Sequence, residues 1–247
     1  MAKKNRWYWT FKHILFGPVL RVWNRPWAEG IDNIPESGPA IIASSHQSVM
    51  DSFYFPLMCP RQIKFIAKAE YFNTPGVVGR IQKWFFSSVG QVPIDRKAAS
   101  ASEGMMNSAR EILNQGDLFG IYPEGTRSPD GRIYRGRTGM ARVAMDTGVD
   151  VIPIAMFNSR KANPIGTWVP RPVRVGTRVG SPINPHQWAQ ENGLDPKEHD
   201  TVRAFTDFFM LKLAELAEQP YVDVYASEVK ESLHKGHGYP KGAEPNK

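Results

Sequence analysis

The segment PAIIASSHQSVMD, residues 39–51, decides the fold of this chain. Its apolar run Ala40-Ile41-Ile42-Ala43 predicts a short buried strand, and residues 51–58 predict a helix that stops before Pro60. His46 and Asp51 therefore flank the turn from the strand into the helix. On a continuous helix, side chains five positions apart diverge by about 140°. The pair can meet only if His46 precedes the helix.

The same pattern of a strand followed by a polar residue repeats along the chain. Further strand-like runs span residues 62–67, 89–94, 118–122, 151–157 and 173–179. The clearest helical patterns span residues 98–114, 139–147 and 201–217, with Gly116 and Gly148 as ends of the first two and Asp200 as a candidate N-cap of the third. This alternation predicts a single α/β domain with a mixed, largely parallel sheet covered by helices.

The length and composition of the chain fit this prediction. Its 247 residues, 41% of them hydrophobic and 22% charged, are typical of a globular protein with a substantial core. We divide the chain into a basic aromatic arm at 1–30, a folded domain at 31–227 and a polar tail at 228–247 that we expect to be loose. The single Cys59 excludes an internal disulfide framework, and we interpret it as a buried small hydrophobe rather than a reactive thiol.

The formal charge of +7 is concentrated in residues 1–28. This stretch holds six Lys or Arg residues, no Asp or Glu, and four of the seven tryptophans. Trp and Tyr beside Lys and Arg are typical of a segment at a membrane interface, where cations meet anionic lipid. The longest apolar run there, residues 14–20, is shorter than the roughly 18 residues that a spanning helix needs. We therefore expect the arm to lie on an anionic membrane surface rather than to cross the membrane.

The arm itself is expected to be helical. Residues 6–21 form a helical pattern with a narrow polar stripe, and Pro18 should kink or break the helix near Phe16-Gly17. The alternative is a helix packed on the core. A signal peptide fits poorly, because aromatic residues crowd the segment and no small-residue cleavage site follows. Since the charge is confined to this arm and no recognition motif occurs elsewhere, we expect no nucleic-acid partner.

His46 is the candidate general base, because a neutral imidazole can take a proton near pH 7. Asp51 would hold the tautomer of the ring and stabilise its protonated form. Ser48 supports a second interpretation, since Ser48-x-x-Asp51 is also a helix capping box without catalytic duty.

The block at residues 124–127, Glu-Gly-Thr-Arg, directly follows a strand-like run. The Glu124 carboxylate suits a substrate hydroxyl, Gly125 allows a close approach of the backbone, and the Arg127 guanidinium suits a phosphate. The alternative is a solvent-exposed turn, which the following SPDG sequence at 128–131 favours. A P-loop is rejected, because the Lys-Ser/Thr ending is missing.

Lys68, Arg96 and Arg137 are further phosphate-binding candidates, each with a surface ion pair as the alternative. Because ligands bind at the carboxyl ends of parallel strands, we expect His46, Lys68, Arg96 and residues 124–127 to share one crevice. The chain has no His-Glu-x-x-His, no Cys pair and no Gly-x-Ser-x-Gly sequence. We therefore expect neither a metal nor a cofactor.

Four ordered blocks resemble the glycerolipid acyltransferase family, which includes the 1-acyl-sn-glycerol-3-phosphate acyltransferases. His46-x4-Asp51 resembles the first block and YPEGTRS at 122–128 the third. GQVPIDR at 90–96 is similar to the second block, although its proline stands where an aromatic is usual, and VIPI at 151–154 is similar to the fourth. Arg137-Thr138-Gly139 occupies the place of a Lys-x-Gly. The resemblance covers residues 30–185.

The resemblance implies an enzyme of phospholipid biosynthesis, a 1-acylglycerol-3-phosphate O-acyltransferase, with residues 31–227 as its acyltransferase domain. His46 would deprotonate the free hydroxyl of lysophosphatidic acid, which attacks the thioester of acyl-CoA or acyl carrier protein and gives phosphatidic acid without a covalent acyl-enzyme. Arg96 and Arg127 would hold the acceptor phosphate and Glu124 its glycerol portion. The remaining substrate-binding candidates are Lys68, Gly125, Thr126 and Arg137. Backbone N–H groups near Gly125 would stabilise the oxyanion.

The resemblance also implies a peripheral or monotopic protein on the cytoplasmic face of a membrane. Trp84-Phe85-Phe86 is a candidate lining for an acyl chain, although we favour core packing for it. Two alternatives for the function stay open. One is acylation of another lysophospholipid or phosphorylated alcohol, and the other is a non-catalytic lipid-binding relative.

Overall fold

The computed structural model describes residues 5–68, 75–88, 91–94, 101–167 and 169–245. The strands are β1 (Trp27–Glu29), β2 (Ala40–Ser44), β3 (Ile63–Lys68), β4 (Val92–Ile94), β5 (Leu118–Ile121), β6 (Ile133–Tyr134), β7 (Val151–Phe157), β8 (Gly176–Val179) and β9 (Tyr221–Val222). Within these ranges, one seven-stranded sheet has the order β1-β8-β7-β2-β5-β3-β4, and β6 pairs with β9. Neighbours from β7 to β4 run parallel, whereas β8 pairs antiparallel with β7. The predicted mixed, largely parallel sheet is confirmed.

The helices are α1 (Arg6–Thr10), α2 (Phe16–Asn24), α3 (Asp51–Met58), α4 (Gly76–Ser88), α5 (Ala101–Asn114), α6 (Gly139–Thr147), α7 (Ser159–Ala162), α8 (Pro185–Glu191), α9 (His199–Ala217) and α10 (Ala226–His234). A 3-10 turn, Ile31–Asn33, follows β1. The prediction of Asp200 as the N-cap of α9 is wrong, because this helix begins at His199 after an extended Glu198. Asp200 instead lies in the first turn, where a carboxylate is stabilised by the helix dipole.

Helices cover the sheet on both faces. Along β2, Ile41 and Ala43 pack against a layer built from α5, α6, α8 and α9, whereas Ala40 and Ile42 pack on the other side, where α3 contributes. All five residues of β2 are buried, as expected for a strand covered on both faces. Cys59 is buried in the second layer, and this burial raises the pKa of its thiol to about 11. It is therefore the buried hydrophobe expected from the sequence.

The parallel register between β2 and β5 positions the site. Ala43 lies opposite Ile121. His46 and Glu124 each follow three residues later, so the two blocks emerge side by side at the same edge of the sheet. Lys68 ends β3 opposite Ile94 on β4, at the carboxyl ends of those strands.

The arm is helical throughout its described length, with a π-helical turn at Phe11–Leu15 between α1 and α2. The break predicted near Phe16-Gly17 is not observed, because the helix widens into the π-helical turn and continues as α2, with Pro18 in the first turn of α2. Gly17 is required there, since a Cβ would lie 1.6 Å from the Lys12 carbonyl oxygen.

The arm packs on the domain with one face and exposes apolar side chains on another. Tyr8 and Phe11 are buried, and the Tyr8 hydroxyl donates to the Pro56 carbonyl at 3.2 Å. The exposed apolar side chains are Ile14, Leu15, Phe16, Val19, Val22 and Trp23. The alternative of packing on the core is thus confirmed for one face, while lipid contact of the other stays a prediction. No helix in the described ranges is long and apolar enough to cross a membrane.

Much of the chain from residue 228 to residue 245 is folded, so the expectation of a loose tail is wrong there. Helix α10 starts at Ala226, and its apolar residues join a third cluster formed by Tyr134, Val222, Ala226, Val229 and Ala243. Ala226 and Val229 are one helical turn apart, and burial of this pair against Tyr134 holds a helix whose other residues lie mostly at the surface.

Candidate active site

His46 and Asp51 meet in the turn between β2 and α3. The His46 Nδ1 atom lies 3.1 Å from Asp51 Oδ2. The same oxygen accepts hydrogen bonds from the backbone N–H groups of Gln47 and Ser48 at 2.7 and 2.8 Å. The carboxylate therefore favours the tautomer with a proton on Nδ1, which leaves the lone pair on Nε2.

The predicted capping box of Ser48 and Asp51 is formed only in part. Ser48 N–H donates to Asp51 Oδ2, which is half of a capping box. The other half is not formed, since Ser48 Oγ accepts a hydrogen bond from Met50 N–H at 3.1 Å. Helix α3 begins at Asp51 with Met50 as its N-cap residue, so the prediction of Ser48 as the N-cap is wrong. One oxygen of Asp51 instead binds the imidazole and two amides of the turn before the helix.

Glu124 lies behind the His46 turn. Its Oε1 accepts a hydrogen bond from His46 N–H at 3.3 Å, and its Oε2 accepts one from Tyr134 N–H at 3.2 Å. Only 2% of the residue is exposed, and burial raises the pKa of this carboxyl to about 8. The interpretation of Glu124 as part of a solvent-exposed turn is therefore wrong. Its oxygens also face backbone amides, rather than the substrate glycerol that the sequence analysis expected.

Residues 128–131 do form the turn that their sequence indicates. The Ser128 hydroxyl accepts a hydrogen bond from Gly131 N–H at 2.9 Å. Ser128 N–H also donates to the His46 carbonyl at 2.7 Å. The two blocks are therefore joined through both polar groups of the His46 backbone, its N–H to Glu124 and its carbonyl to Ser128.

Tyr122 supports the imidazole by stacking. Its ring lies 3.8 Å from the His46 ring at an angle of 14°, and Phe65 also stacks on Tyr122 at 5.4 Å. Tyr122 and Ser52 hydroxyls share a hydrogen bond of 2.7 Å. Gly120 makes room for this arrangement, since a Cβ there would lie 2.5 Å from the Phe65 ring. The sequence analysis assigned no such role to Tyr122.

A cavity of about 790 Å³ adjoins the imidazole. Its polar part is lined by His46, Gly125, Thr126, Arg127 and Arg137. Its larger apolar part is lined by side chains of the arm, α3 and the sheet, among them Phe11, Phe16, Leu20, Phe53, Leu57, Phe65 and Phe119. The site thus combines a basic region and an apolar region on either side of a candidate base.

Of residues 84–86, for which core packing was favoured over an acyl-chain lining, only the Trp84 side chain is described. Trp84 is 44% exposed and contacts Trp7 and Phe11 of the arm, with ring centroids 5.1 and 5.8 Å apart. It therefore packs between α4 and the arm rather than in the core. The side chains of Phe85 and Phe86 are outside the described part of the chain.

Arg127 and Arg137 flank Gly125 at the polar end of the cavity. The Arg127 guanidinium forms no hydrogen bond or ion pair with any residue that the structure describes. Arg137 lies over the Tyr225 ring at 4.2 Å and donates to Ser227 Oγ at 2.9 Å. Gly125 has a φ of 72°, and its N–H donates to the Tyr122 carbonyl at 3.0 Å. Of the backbone N–H groups near Gly125 that were expected to stabilise the oxyanion, that of Gly125 itself is therefore already occupied.

Two cations near this end were missed by the sequence analysis. Lys230 of α10 donates to Thr126 Oγ1 at 2.9 Å, and Arg160 of α7 donates to the Ser128 carbonyl at 3.1 Å. The spacing of Ala226 and Val229 was a signal for the helix that carries Lys230. Nothing in the sequence around Arg160 indicated its position.

The remaining candidates cannot be compared with the geometry. Arg96 and the side chain of Lys68 lie outside the described residues. Among the side chains that the structure does describe, no group of three or more His, Cys, Asp or Glu is arranged to hold a metal ion.

Comparison with known proteins gives consistent matches. A family model described as Acyltransferase matches residues 26–157, more than half of the chain. The chloroplastic 1-acyl-sn-glycerol-3-phosphate acyltransferase LPAT1 of Arabidopsis thaliana is 36% identical over 140 residues, 56% of this chain and 38% of that protein. A 1-acyl-sn-glycerol-3-phosphate acyltransferase of Limnanthes douglasii is 26% identical over 82% of this chain and 69% of its own length.

A solved structure has the same fold. The crystal structure of the 1-acyl-sn-glycerophosphate acyltransferase PlsC from Thermotoga maritima matches with a TM-score of 0.58 and 24% identity, over 87% of this chain and 83% of that one. In sequence, by contrast, this chain spans only 38% and 39% of the length of the two chloroplastic relatives, from Arabidopsis thaliana and Brassica napus.

Proposed function

The chain belongs to the acyltransferase family, and we propose that it transfers a fatty acyl group from acyl-CoA or acyl carrier protein to the free hydroxyl of lysophosphatidic acid, giving phosphatidic acid. The observation that carries this proposal is the contact of 3.1 Å between His46 and Asp51 beside a cavity with a basic end and an apolar end. An acceptor with a phosphate and a fatty chain needs both ends. The names of the relatives support this choice of acceptor.

The chemistry follows from the orientation of the imidazole. Because Asp51 holds Nδ1–H, Nε2 is free to take the proton of the acceptor hydroxyl. The oxygen of this hydroxyl attacks the carbonyl carbon of the thioester at the same time. The tetrahedral intermediate then collapses, the C–S bond breaks, and the sulfur leaves with the proton from the imidazolium. The acyl group moves directly to the acceptor, so we propose no cofactor beyond the acyl donor.

The surrounding residues divide into binding and positioning roles. Arg127 and Arg137 bind the acceptor phosphate, and the sequence pattern adds Lys68 and Arg96 to this group. Glu124 acts as a positioning residue, because it holds the backbone N–H of His46. Since the Gly125 amide is occupied, the oxyanion is stabilised by the N–H groups of Thr126 and Arg127, which donate to none of the residues that the structure describes.

The apolar part of the cavity holds a fatty chain, and the arm brings the protein to its substrates. Residues 14–23 expose an apolar face near Arg21 and Arg25, a combination that favours an anionic lipid surface. We propose that the protein lies on the cytoplasmic face of a membrane as a peripheral or monotopic enzyme.

A thiol-release assay tests the proposed function. Purified protein is given lysophosphatidic acid with acyl-CoA or with acyl carrier protein, and free thiol and phosphatidic acid are both measured. We expect His46→Ala to lower kcat by about 10²- to 10⁴-fold, because the general base is removed. The His186→Ala variant is the matched control, since His186 bonds to the Met145 carbonyl away from the cavity.

Each of the other outcomes contradicts a defined part of the proposal. Near-normal turnover by His46→Ala would contradict the assignment of His46 as the general base. Faster acylation of another lysophospholipid or phosphorylated alcohol would replace the acceptor. Lipid binding without thiol release by the unmodified protein would favour a non-catalytic relative.

A further inference from the structure

We propose that Lys230 of helix α10 is a further phosphate-binding residue of the acceptor site, and that α10 also positions Arg137 for the same phosphate. This inference rests on the proposed function, because it assigns a role within that acceptor site. The family model ends at residue 157, so α10 lies outside the part of the chain that it matches.

The position of Lys230 is fixed by a hydrogen bond of its side chain and by the packing of its helix. Its ammonium group donates to the Thr126 hydroxyl at 2.9 Å, so it reaches the block that lines the polar end of the cavity. Its helix is anchored next to it by Val229, which is fully buried in the cluster around Tyr134. Lys230 is therefore presented by a packed element and not by a mobile surface chain.

The same helix holds Arg137. Ser227, one turn before Lys230, accepts a hydrogen bond from the Arg137 guanidinium at 2.9 Å, and Tyr225 lies beneath this group at 4.2 Å. Arg137 also approaches Gly125, since a Cβ on that glycine would lie 3.4 Å from the Arg137 side chain. Helix α10 thus contributes one cation and positions a second on the two sides of residues 125–127.

The charges around Lys230 favour an anion. Burial lowers the pKa of Lys230, and the nearby positive charges of Arg127 and Arg160 lower it further, against the opposing effect of Glu124. None of the ion pairs among the described residues joins Lys230 to Glu124, whose oxygens accept hydrogen bonds from backbone amides. A phosphate bound between Lys230 and Arg127 would relieve the repulsion and form charge-assisted hydrogen bonds with both.

Equilibrium binding tests this role without depending on turnover. Short-chain lysophosphatidic acid, kept below its micelle concentration, is titrated calorimetrically into the full chain and its variants. Lys230→Met keeps the aliphatic stem but removes the charge, and we expect it to raise the Kd about tenfold. Lys230→Arg should stay within about threefold of the unmodified protein, since it restores a cation. Lys235→Met is the control, because Lys235, at the end of α10, pairs with the exposed Glu231 and with no other side chain that the structure describes.

A phosphate-free ligand separates phosphate binding from a structural role. Monoacylglycerol of the same chain length should bind Lys230→Met and the unmodified protein with the same Kd. The inference is overturned if Lys230→Met binds lysophosphatidic acid as Lys235→Met does, if both ligands weaken equally, or if the unmodified protein does not bind lysophosphatidic acid.

The thiol-release assay on the same proteins distinguishes this inference from the proposed function. Loss of phosphate-dependent binding in Lys230→Met, with no turnover by the unmodified protein, would support the phosphate site and contradict the acyltransferase proposal. Normal turnover with unchanged binding by Lys230→Met would support the proposed function and contradict the role of Lys230.

Discussion

The raised pKa of Glu124 makes the stability of the folded chain depend on pH. Its two backbone hydrogen bonds favour the ionised form, yet burial outweighs them and raises its pKa from 4.5 to about 8. Between these pH values the folded chain binds more protons at Glu124 than the unfolded chain does. The contribution of this residue to the free energy of unfolding therefore falls as pH rises from 4.5 to about 8.

The variant Glu124→Gln provides a measurement of this effect, because its amide does not titrate. We expect the unmodified protein to lose stability relative to Glu124→Gln across this window, by a few kcal/mol at most, on the order of 1.4 kcal/mol per pKa unit. Denaturant unfolding at a series of pH values from about 4 to about 9 measures the difference. A difference that stays constant with pH would contradict the raised pKa.

The residue scale also shows where sequence reasoning succeeds. The spacing of His46 and Asp51 was sufficient to place the imidazole in the turn before α3, because the geometry of a helix leaves no other way for them to meet. The orientation of Glu124 could not be predicted from the sequence, since it depends on amides at residues 46 and 134 that only the folded chain brings together.

At the scale of elements, the packing of β5 on β3 supports the site. Gly120 lies opposite Phe65 in the parallel register, and Phe65 stacks on Tyr122, which stacks on His46. A methyl group at position 120 would also come within 2.8 Å of Ile63. The Phe65 ring can move away from this methyl group only at a cost in free energy, because aromatic side chains in a packed core have few alternative rotamers.

We therefore expect Gly120→Ala to reduce both stability and turnover. Overpacking of this kind lowers the free energy of unfolding by about 1–3 kcal/mol, and displacement of Phe65 should lower kcat through the stack. Thermal or denaturant unfolding and the thiol-release assay measure the two effects. Phe65→Leu in the same chain should restore part of the lost stability, so strictly additive losses in the double variant would count against this mechanism.

Several elements were predictable because their own sequence determines them. The apolar runs of β2 and β7, and the glycine at the end of α6, gave bounds close to those observed. Helix α10 was missed because its stability depends on contact with Tyr134 and Ala243 rather than on local hydrophobicity. The π-helical turn of the arm was missed for a similar reason, since it depends on the close backbone approach between Gly17 and Lys12.

The N-terminal arm contributes both to the wall of the cavity and to an exposed apolar face. Tyr8 and Phe11 of the arm line the cavity, whereas Ile14, Val19 and Val22 are 69%, 65% and 80% exposed. Deletion of the arm would therefore remove part of the cavity wall together with the exposed apolar face. Point variants on the exposed face separate the two roles.

We expect the triple variant Ile14→Ser, Val19→Ser, Val22→Ser to bind vesicles of phosphatidylcholine and phosphatidic acid at least about tenfold more weakly, because each serine removes apolar surface from the lipid interface. Sedimentation with the vesicles measures binding, and thermal unfolding should be unchanged. Leu211→Ser is the control, since Leu211 is 54% exposed on α9. Equal vesicle binding by the triple variant and the control would contradict the membrane role of the arm.

The hydrogen bonds that join the His46 backbone to Glu124 and Ser128 can form only after synthesis has passed β5. His46 and Glu124 are 78 residues apart, so a nascent polypeptide that has left the ribosome only as far as β3 already contains the imidazole and its aspartate but no support for them. Under the proposed function, a chain released at that point would hold the base and its aspartate without the contacts that position them.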